Sequence, residues 1–206
     1  DYDSWWGIGN LPNVNELDSD YLDYMIEGKQ AIAARWLQSG ARGWRLDVAD
    51  ELPEDFIRRL RRRMKSEDPQ SYLLGEVWED ASRKKAYGYL RNYFLGDQLD
   101  SVMNYPFKNC VLDFLQGTRT SMQVMRELYS LYENYPRENF DLLMNLLGTH
   151  DTVRLLTELA QVDGSNFTDA QRRKFRLNEE QKNIAFKRLW LAIIWQMTFC
   201  GVPAVY

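Results

Sequence analysis

At 206 residues, 45% hydrophobic and 27% charged, the chain has an ordinary soluble globular composition and enough length for one full core or for part of a larger domain. Its formal net charge of −4 argues against nucleic acid as a partner, because phosphate binding takes a basic surface. The two cysteines, Cys110 and Cys200, lie in apolar helical settings without metal-ligand spacing. They suggest buried free thiols and give no sign of an oxidising compartment, which favours a cytoplasmic setting over a secreted one.

In chain order, residues 1–18 read as a loop broken by Gly7, Gly9, Asn10, Pro12 and Asn13. A helix over about 20–38 places Leu22, Met25, Ile26, Ile32, Ala33, Trp36 and Leu37 on one side and ends at Ser39-Gly40. Strand 42–47, helix 53–66, strand 72–76, a short helix near 82–91 and strand 99–104 follow. Lys and Arg cluster between Arg58 and Lys65, but they alternate with Ile57, Leu60 and Met64 at helical spacing and read as a solvated helix face. Helices near 107–116 and 120–134 precede strand 140–147, and a loop with a short helix fills 152–178. A long helix over about 179–199 leads into a strand at 202–206. The apolar run from Leu189 to Tyr206 is interrupted by Gln196, Thr198, Gly201 and Pro203, so it fits a buried helix and a short strand better than a membrane span.

Strands alternating with helices mean crossover units and a parallel sheet, an α/β chain of the (β/α)8 TIM-barrel type. Five strands are counted where a closed barrel has eight and about 250 residues, so the expectation is a partial barrel. Residues 1–206 would be its C-terminal part, cut at both ends, with 1–18 as a loop leading in and no leader peptide. Strands 42–47 and 202–206 would then present open edges, so the expectation is either a homodimer that pairs them or a piece excised from a longer folded protein.

Three stretches carry chemistry. In GWRLDVADE, Gly43 to Glu51, charged Arg45 and Asp47 alternate with apolar Trp44, Leu46 and Val48, the period of a strand with two unlike faces. The layout recurs in YLLGEVWED at 72–80, with Glu76, and in LLMNLLGTHDT at 142–152, with His150 and Asp151. Polar residues at the C-terminal ends of barrel strands point into a site, and three carboxylates so placed can converge on one substrate. Cleaving a glycosidic bond with retention needs two carboxyl groups about 5–5.5 Å apart, one a nucleophile and one an acid that becomes a base. Asp47, two residues after the cation Arg45, suits the nucleophile; Glu76, among apolar Leu74, Val77 and Trp78, suits the acid. His150 and Asp151 can hydrogen-bond sugar hydroxyls from two sides. Seven Trp and twelve Tyr supply flat rings for the core and for stacking on sugars.

These residues carry a resemblance. The chain resembles the α-amylase family of glycoside hydrolases, most of all its neopullulanase and cyclomaltodextrinase branch. GWRLDVADE is similar to the family's second conserved region, GEVWEDA to its third and LLGTHDTVR to its fourth. LPNVNE at 11–16 is similar to the short extra motif ahead of the fourth strand, and GVPAVY at 201–206 to the eighth strand. The resemblance implies Asp47 as nucleophile, Glu76 as acid/base, Asp151 as transition-state stabiliser, Arg45 orienting the nucleophile and His150 binding hydroxyls. It implies that Trp78, Glu51 and Asn104 line neighbouring subsites. The family's first region, an Asp-x-x-x-x-Asn-His strand, is absent. Asp50-Glu51 stands where many members have Lys-His, whose His helps hold calcium, so no metal or other cofactor is expected from this segment although calcium belongs to many complete enzymes.

The implied activity is hydrolysis of α-1,4 links, alone or together with α-1,6 links, in starch-derived glucans and maltooligosaccharides, with no nucleic-acid or membrane partner. Two alternatives stay open: a transglycosylase, in which a sugar hydroxyl intercepts the same intermediate, and a carbohydrate-binding segment without turnover. A third, strand-end carboxylates holding Mg²⁺, is disfavoured because the guanidinium of Arg45 would compete with the metal.

Overall fold

A computed structural model describes residues 2–206, and the chain divides into two compact units. The first comprises Asp1–Glu76 and Leu95–Asp100, the second Val77–Phe94 and Ser101–Tyr206.

In the first unit, the opening loop contains a single helical turn at Trp5–Gly7. It leads to α1 (Ser19–Leu22), whose free N–H groups at Asp20 and Tyr21 are capped by the Asp18 carboxylate at 3.0 and 3.1 Å. The expected continuous helix over 20–38 is broken. α1 widens into a π-turn, Asp23–Glu27, closed by the Gly28 N–H on the Asp23 carbonyl at 2.8 Å, and the backbone then turns extended at Gly28 (ψ 157°). A second helix, α2 (Ile32–Gln38), resumes after the break. β1 (Gly43–Leu46), α3 (Glu54–Glu67) and β2 (Tyr72–Gly75) form one crossover unit, with β1 parallel to β2 from Gly43↔Tyr72 to Leu46↔Gly75.

α3 buries Phe56, Ile57, Leu60 and Met64. Its basic face is more than solvated: Arg58 pairs with Glu54 and Asp97, Arg59 with Asp55 and Glu27, Arg61 and Lys65 with Asp100, and Arg63 with Glu67. Three i,i+4 pairs and four of longer reach make this a laced helix face rather than a phosphate-binding stripe.

The second unit opens with a hairpin, β3 (Lys85–Ala86) and β4 (Tyr89–Leu90), where the sequence suggested a short helix. Tyr87 and Gly88, at φ 53° and 82°, both adopt the left-handed conformation that a two-residue hairpin turn requires, and only the helical turn Ala81–Arg83 remains of the expected helix. β5 (Ser101–Val102) is followed by α4 (Tyr105–Gln116), α5 (Ser121–Asn134), α6 (Arg137–Phe140) and β6 (Met144–Leu146). Of the segment 140–147 expected to be one strand, Phe140 ends α6 and only Met144–Leu146 is strand. Residues 152–178 hold two short helices rather than one, α7 (Leu155–Leu159) and α8 (Asp169–Lys174). α9 (Glu179–Thr198) leads into β7 (Val202–Ala204), parallel to β6 from Met144↔Val202 to Leu146↔Ala204. α5, α8 and α9 each begin with a reciprocal capping box, Thr120–Gln123, Thr168–Gln171 and Asn178–Gln181.

α9 is not the buried helix its composition suggests. Ala185, Ala192 and Gln196 are buried, while Trp190, Leu191, Ile194 and Met197 face solvent. Among the described residues no helix is long and apolar enough to cross a membrane. The cysteines also differ from expectation. Cys110 is buried, with its thiol pushed up to about 12 by desolvation, but Cys200 lies one residue beyond the α9 C-cap and is exposed. Its Sγ donates to Asp141 Oδ1 at 2.9 Å, a hydrogen bond that raises the thiol above its ordinary range.

Candidate active site

The first unit carries Arg45, Asp47, Glu51 and Glu76. Beyond the last rungs of β1 and β2 the backbones stay tied: the Glu76 N–H donates to the Leu46 carbonyl at 2.9 Å, and the Ala49 N–H to the Glu76 carbonyl at 3.2 Å. The two carboxylates therefore emerge at neighbouring strand ends. Gly75 leaves room for the side chains packed beside it, because a Cβ there would lie 2.5 Å from Leu99 Cδ1 and 3.3 Å from Ala49 Cβ.

Arg45 joins the two acids. Its Nη1 donates to Asp47 Oδ1, and its Nη2 lies 3.1 Å from Glu76 Oε2. The environments of the pair differ sharply. Asp47 has a side chain 71% exposed, open to an incoming ligand, whereas Glu76 is 5% exposed. Glu76 Oε2 also accepts the Val48 N–H at 2.9 Å, so this buried carboxylate has two donors on one oxygen.

Val48 aims that N–H by adopting φ 42° and ψ 58°, a left-handed conformation that a β-branched side chain strongly disfavours. Strain of this kind, of order 1–3 kcal/mol, persists where surrounding contacts over-determine it and clusters at functional sites. The sequence carried no sign of it. A β-branched residue directly after a strand-end acid reads as one more strand position. Glu51, in the helical turn Ala49–Glu51, accepts the indole N–H of Trp6 at 3.2 Å.

The second unit carries Trp78, Asn104, His150 and Asp151. Trp78 is half exposed and lies flat on Tyr105, with ring centroids 4.2 Å apart and planes 11° apart, presenting one apolar face. After β6 the chain turns through Thr149–Thr152. The Thr149 N–H donates to Thr152 Oγ1 at 2.9 Å, and the Asp151 N–H to Thr149 Oγ1 at 3.2 Å. The turn presents His150 and Asp151 as exposed neighbours, with His150 Nε2 3.2 Å from Asp151 Oδ2.

Asn104 is placed differently from its expected subsite role. It is 1% exposed and caps α4, its Oδ1 accepting the Phe107 N–H at 3.1 Å while its Nδ2 donates to Asn145 Oδ1 at 2.8 Å. A side chain with no open surface cannot contact a sugar. Asn145 in turn donates to the Cys200 carbonyl at 3.0 Å, and Gln196 Nε2 reaches the carbonyls of Asn145 and Ala204 at 2.9 and 2.8 Å. This buried Asn104–Asn145–Gln196 cluster ties α4, β6, α9 and β7 together. Among the described residues no group of three or more His, Cys, Asp and Glu side chains is arranged to hold a metal.

Comparison with known proteins agrees with the motifs. Residues 12–206 match the family model described as the catalytic domain of alpha amylase. The chain is 36% identical over 228 residues to an amylopullulanase of Thermoanaerobacter thermohydrosulfuricus, covering 100% of this chain and 14% of that protein. It is 33% identical over 211 residues to a cyclomaltodextrinase of a Bacillus species, covering 100% of this chain and 31% of the relative. Among solved structures, a cyclomaltodextrinase superposes with TM-score 0.75 at 33% identity over 100% of this chain and 29% of its own. The type III pullulan hydrolase from Thermococcus kodakarensis superposes with TM-score 0.80 at 27% identity over 99% of this chain and 32% of its own. The chain thus spans a third or less of the length of each of these proteins.

Proposed function

This chain belongs to the α-amylase family and is part of its (β/α)8 catalytic barrel, and from that premise we propose that it carries the later strand–helix units and supplies the reacting groups of a retaining hydrolase of α-glucosidic bonds. The substrate class is an α-1,4-linked glucan or maltooligosaccharide, with α-1,6 links also cleaved. The names amylopullulanase, cyclomaltodextrinase and pullulan hydrolase support that class. The observation that carries the reading is the single guanidinium of Arg45 between an open carboxylate, Asp47, and a buried one, Glu76.

Each group has a step. Glu76 gives its proton to the glycosidic oxygen as the C1–O bond breaks, and Asp47 Oδ attacks C1 from the other face to form a glycosyl ester. Glu76, now a carboxylate, takes a proton from water, whose oxygen attacks C1 and releases Asp47. Two inversions leave the α configuration unchanged. Arg45 holds Asp47 in an attacking orientation through both steps, and the Val48 N–H fixes the Glu76 oxygen it touches. Asp151 is proposed to gain strength as positive charge develops on the ring, His150 to bind sugar hydroxyls, and Trp78 to offer a stacking face.

Following the products of maltoheptaose and pullulan by NMR during the first turnovers tests this reading. The expected result is an α-anomeric reducing end that later mutarotates. A β-anomeric first product, or no cleavage by the intact protein, overturns it.

A further inference from the structure

Ahead of the residues that match the family model, the opening loop holds one tryptophan in a costly position. Trp6 adopts φ 50° and ψ 29°, the left-handed region that bulky side chains avoid, and its side chain is left largely in water, the residue being 66% exposed. The loop is nevertheless closed around it. The Trp5 N–H donates to the Leu11 carbonyl at 2.8 Å, the Ile8 N–H to the Trp5 carbonyl at 3.0 Å, and the Leu11 N–H to the Ile8 carbonyl at 2.9 Å. The Trp5 ring lies beneath the Trp6 ring, centroids 4.2 Å apart and planes 13° apart. The indole edge is fixed as well, since Nε1–H donates to Glu51 Oε1 at 3.2 Å, and Glu51 ends the helical turn that follows Asp47 and Val48.

One face of the indole is therefore covered, its edge is tied to the turn beside the reacting acids, and its other face is bare. Exposed apolar area is unfavourable at roughly 25 cal/mol per Å², and backbone strain adds to that. A rigid ring held flat against water is pre-organised for a partner with a flat apolar face and polar rim, because little freedom remains to be lost on contact. The C–H face of a pyranose has that shape, and its hydroxyl rim stays in solvent.

We propose that Trp6 is a sugar-binding platform that stacks on a glucosyl unit away from the bond being cleaved, so that it favours longer α-glucan chains, with Glu51 as the positioning residue for the ring. The inference rests on the α-glucan hydrolase reading above. The test compares wild type with Trp6→Ala, Trp6→Leu and Trp6→Phe in the intact protein, measuring kcat and KM on maltotriose through maltoheptaose. The ring-deleting variants should raise KM for the longest chains about tenfold, the range of one aromatic stacking contact, with a steadily smaller rise as the chain shortens and kcat within about twofold. Trp6→Phe should recover most of the wild-type KM, which a loop that merely unravels would not do. Glu51→Ala, which removes the acceptor of the indole N–H, should raise KM in the same chain-length-dependent way, and Glu51→Gln, which keeps an acceptor, should recover part of that rise.

If Trp6→Ala fails to fold, the Leu and Phe pair decides on its own, since both fill the space and only Phe keeps a flat face. KM unchanged at every chain length, or raised equally at all of them, overturns the platform while leaving the hydrolase reading intact. A wild type that neither cleaves nor binds maltoheptaose overturns both, beginning with the hydrolase reading.

Discussion

Two polar clusters lie beside the strands of this chain, one in each unit, and they have opposite characters. Arg45, Asp47 and Glu76 are charged, and one member, Asp47, is largely open to solvent. Asn104, Asn145 and Gln196 are neutral and buried, and their hydrogen bonds run to each other and to backbone groups inside the unit. The first arrangement keeps hydrogen-bonding capacity facing outward, where a substrate can use it. The second has turned that capacity inward, where it joins a helix cap to two strands. A polar residue beside a strand is thus a reacting group or a brace according to where its remaining bonds point.

Changing the open cluster should have the largest effects, and on chemistry rather than folding. Asp47→Ala removes the atom that forms the covalent intermediate, so turnover on maltooligosaccharides should fall on the order of 10⁴-fold or more. Thermal unfolding should hardly move, because an exposed side chain contributes little packing. Near-normal hydrolysis by that variant would reassign the nucleophile. Glu76→Gln should lower kcat by about 10²–10⁴ for natural substrates. Gln keeps an oxygen for the Val48 N–H, so the shape of the site survives. Aryl glycosides with good leaving groups need no proton in the first step and should form the intermediate at nearly normal rate. Equal losses for good and poor leaving groups would remove the acid role and, with it, the distinction between the open and buried acids of this pair.

Much of this arrangement is legible in the amino-acid sequence. Asp47 and Glu76 stood out because each follows an apolar strand pattern and precedes a helix start or turn, a combination that packing alone does not explain. α3, α4, α5 and α9 lie within about two residues of expectation because hydrophobic spacing and capping residues mark them locally. The strands came out shorter, since alternation extends beyond the rungs that actually pair, and β5 keeps only Ser101–Val102. The hairpin at 85–90 was illegible because Tyr87, not Asn or Asp, takes the first left-handed position of its turn. Val48 hid its strain for a similar reason: backbone conformation is set by the bonds around a residue, not by its type. Asn104 departs from expectation because its type is equally suited to a sugar hydroxyl and to a helix cap. Only its burial separates the two.

That last distinction gives the smallest expected effect on activity and the sharpest check on the comparison. Asn145→Ala removes the oxygen that accepts from Asn104 Nδ2 and the amide that donates to the Cys200 carbonyl, while the backbone carbonyl that accepts from Gln196 survives. Leaving two such groups without their partners should cost roughly 2–4 kcal/mol, which lowers the unfolding midpoint of a domain of this size by roughly 5–10 °C. The brace holds elements in place but touches no reacting atom, so kcat and KM measured well below the transition should stay within about twofold of wild type. Calorimetry and initial rates on the same preparation read both quantities. An unchanged midpoint together with a tenfold rise in KM would place Asn145 in the substrate's path and collapse the contrast between the two clusters. A lowered midpoint with intact kinetics would fix Asn104 and Asn145 as scaffold, and leave the chemistry to the residues around Arg45.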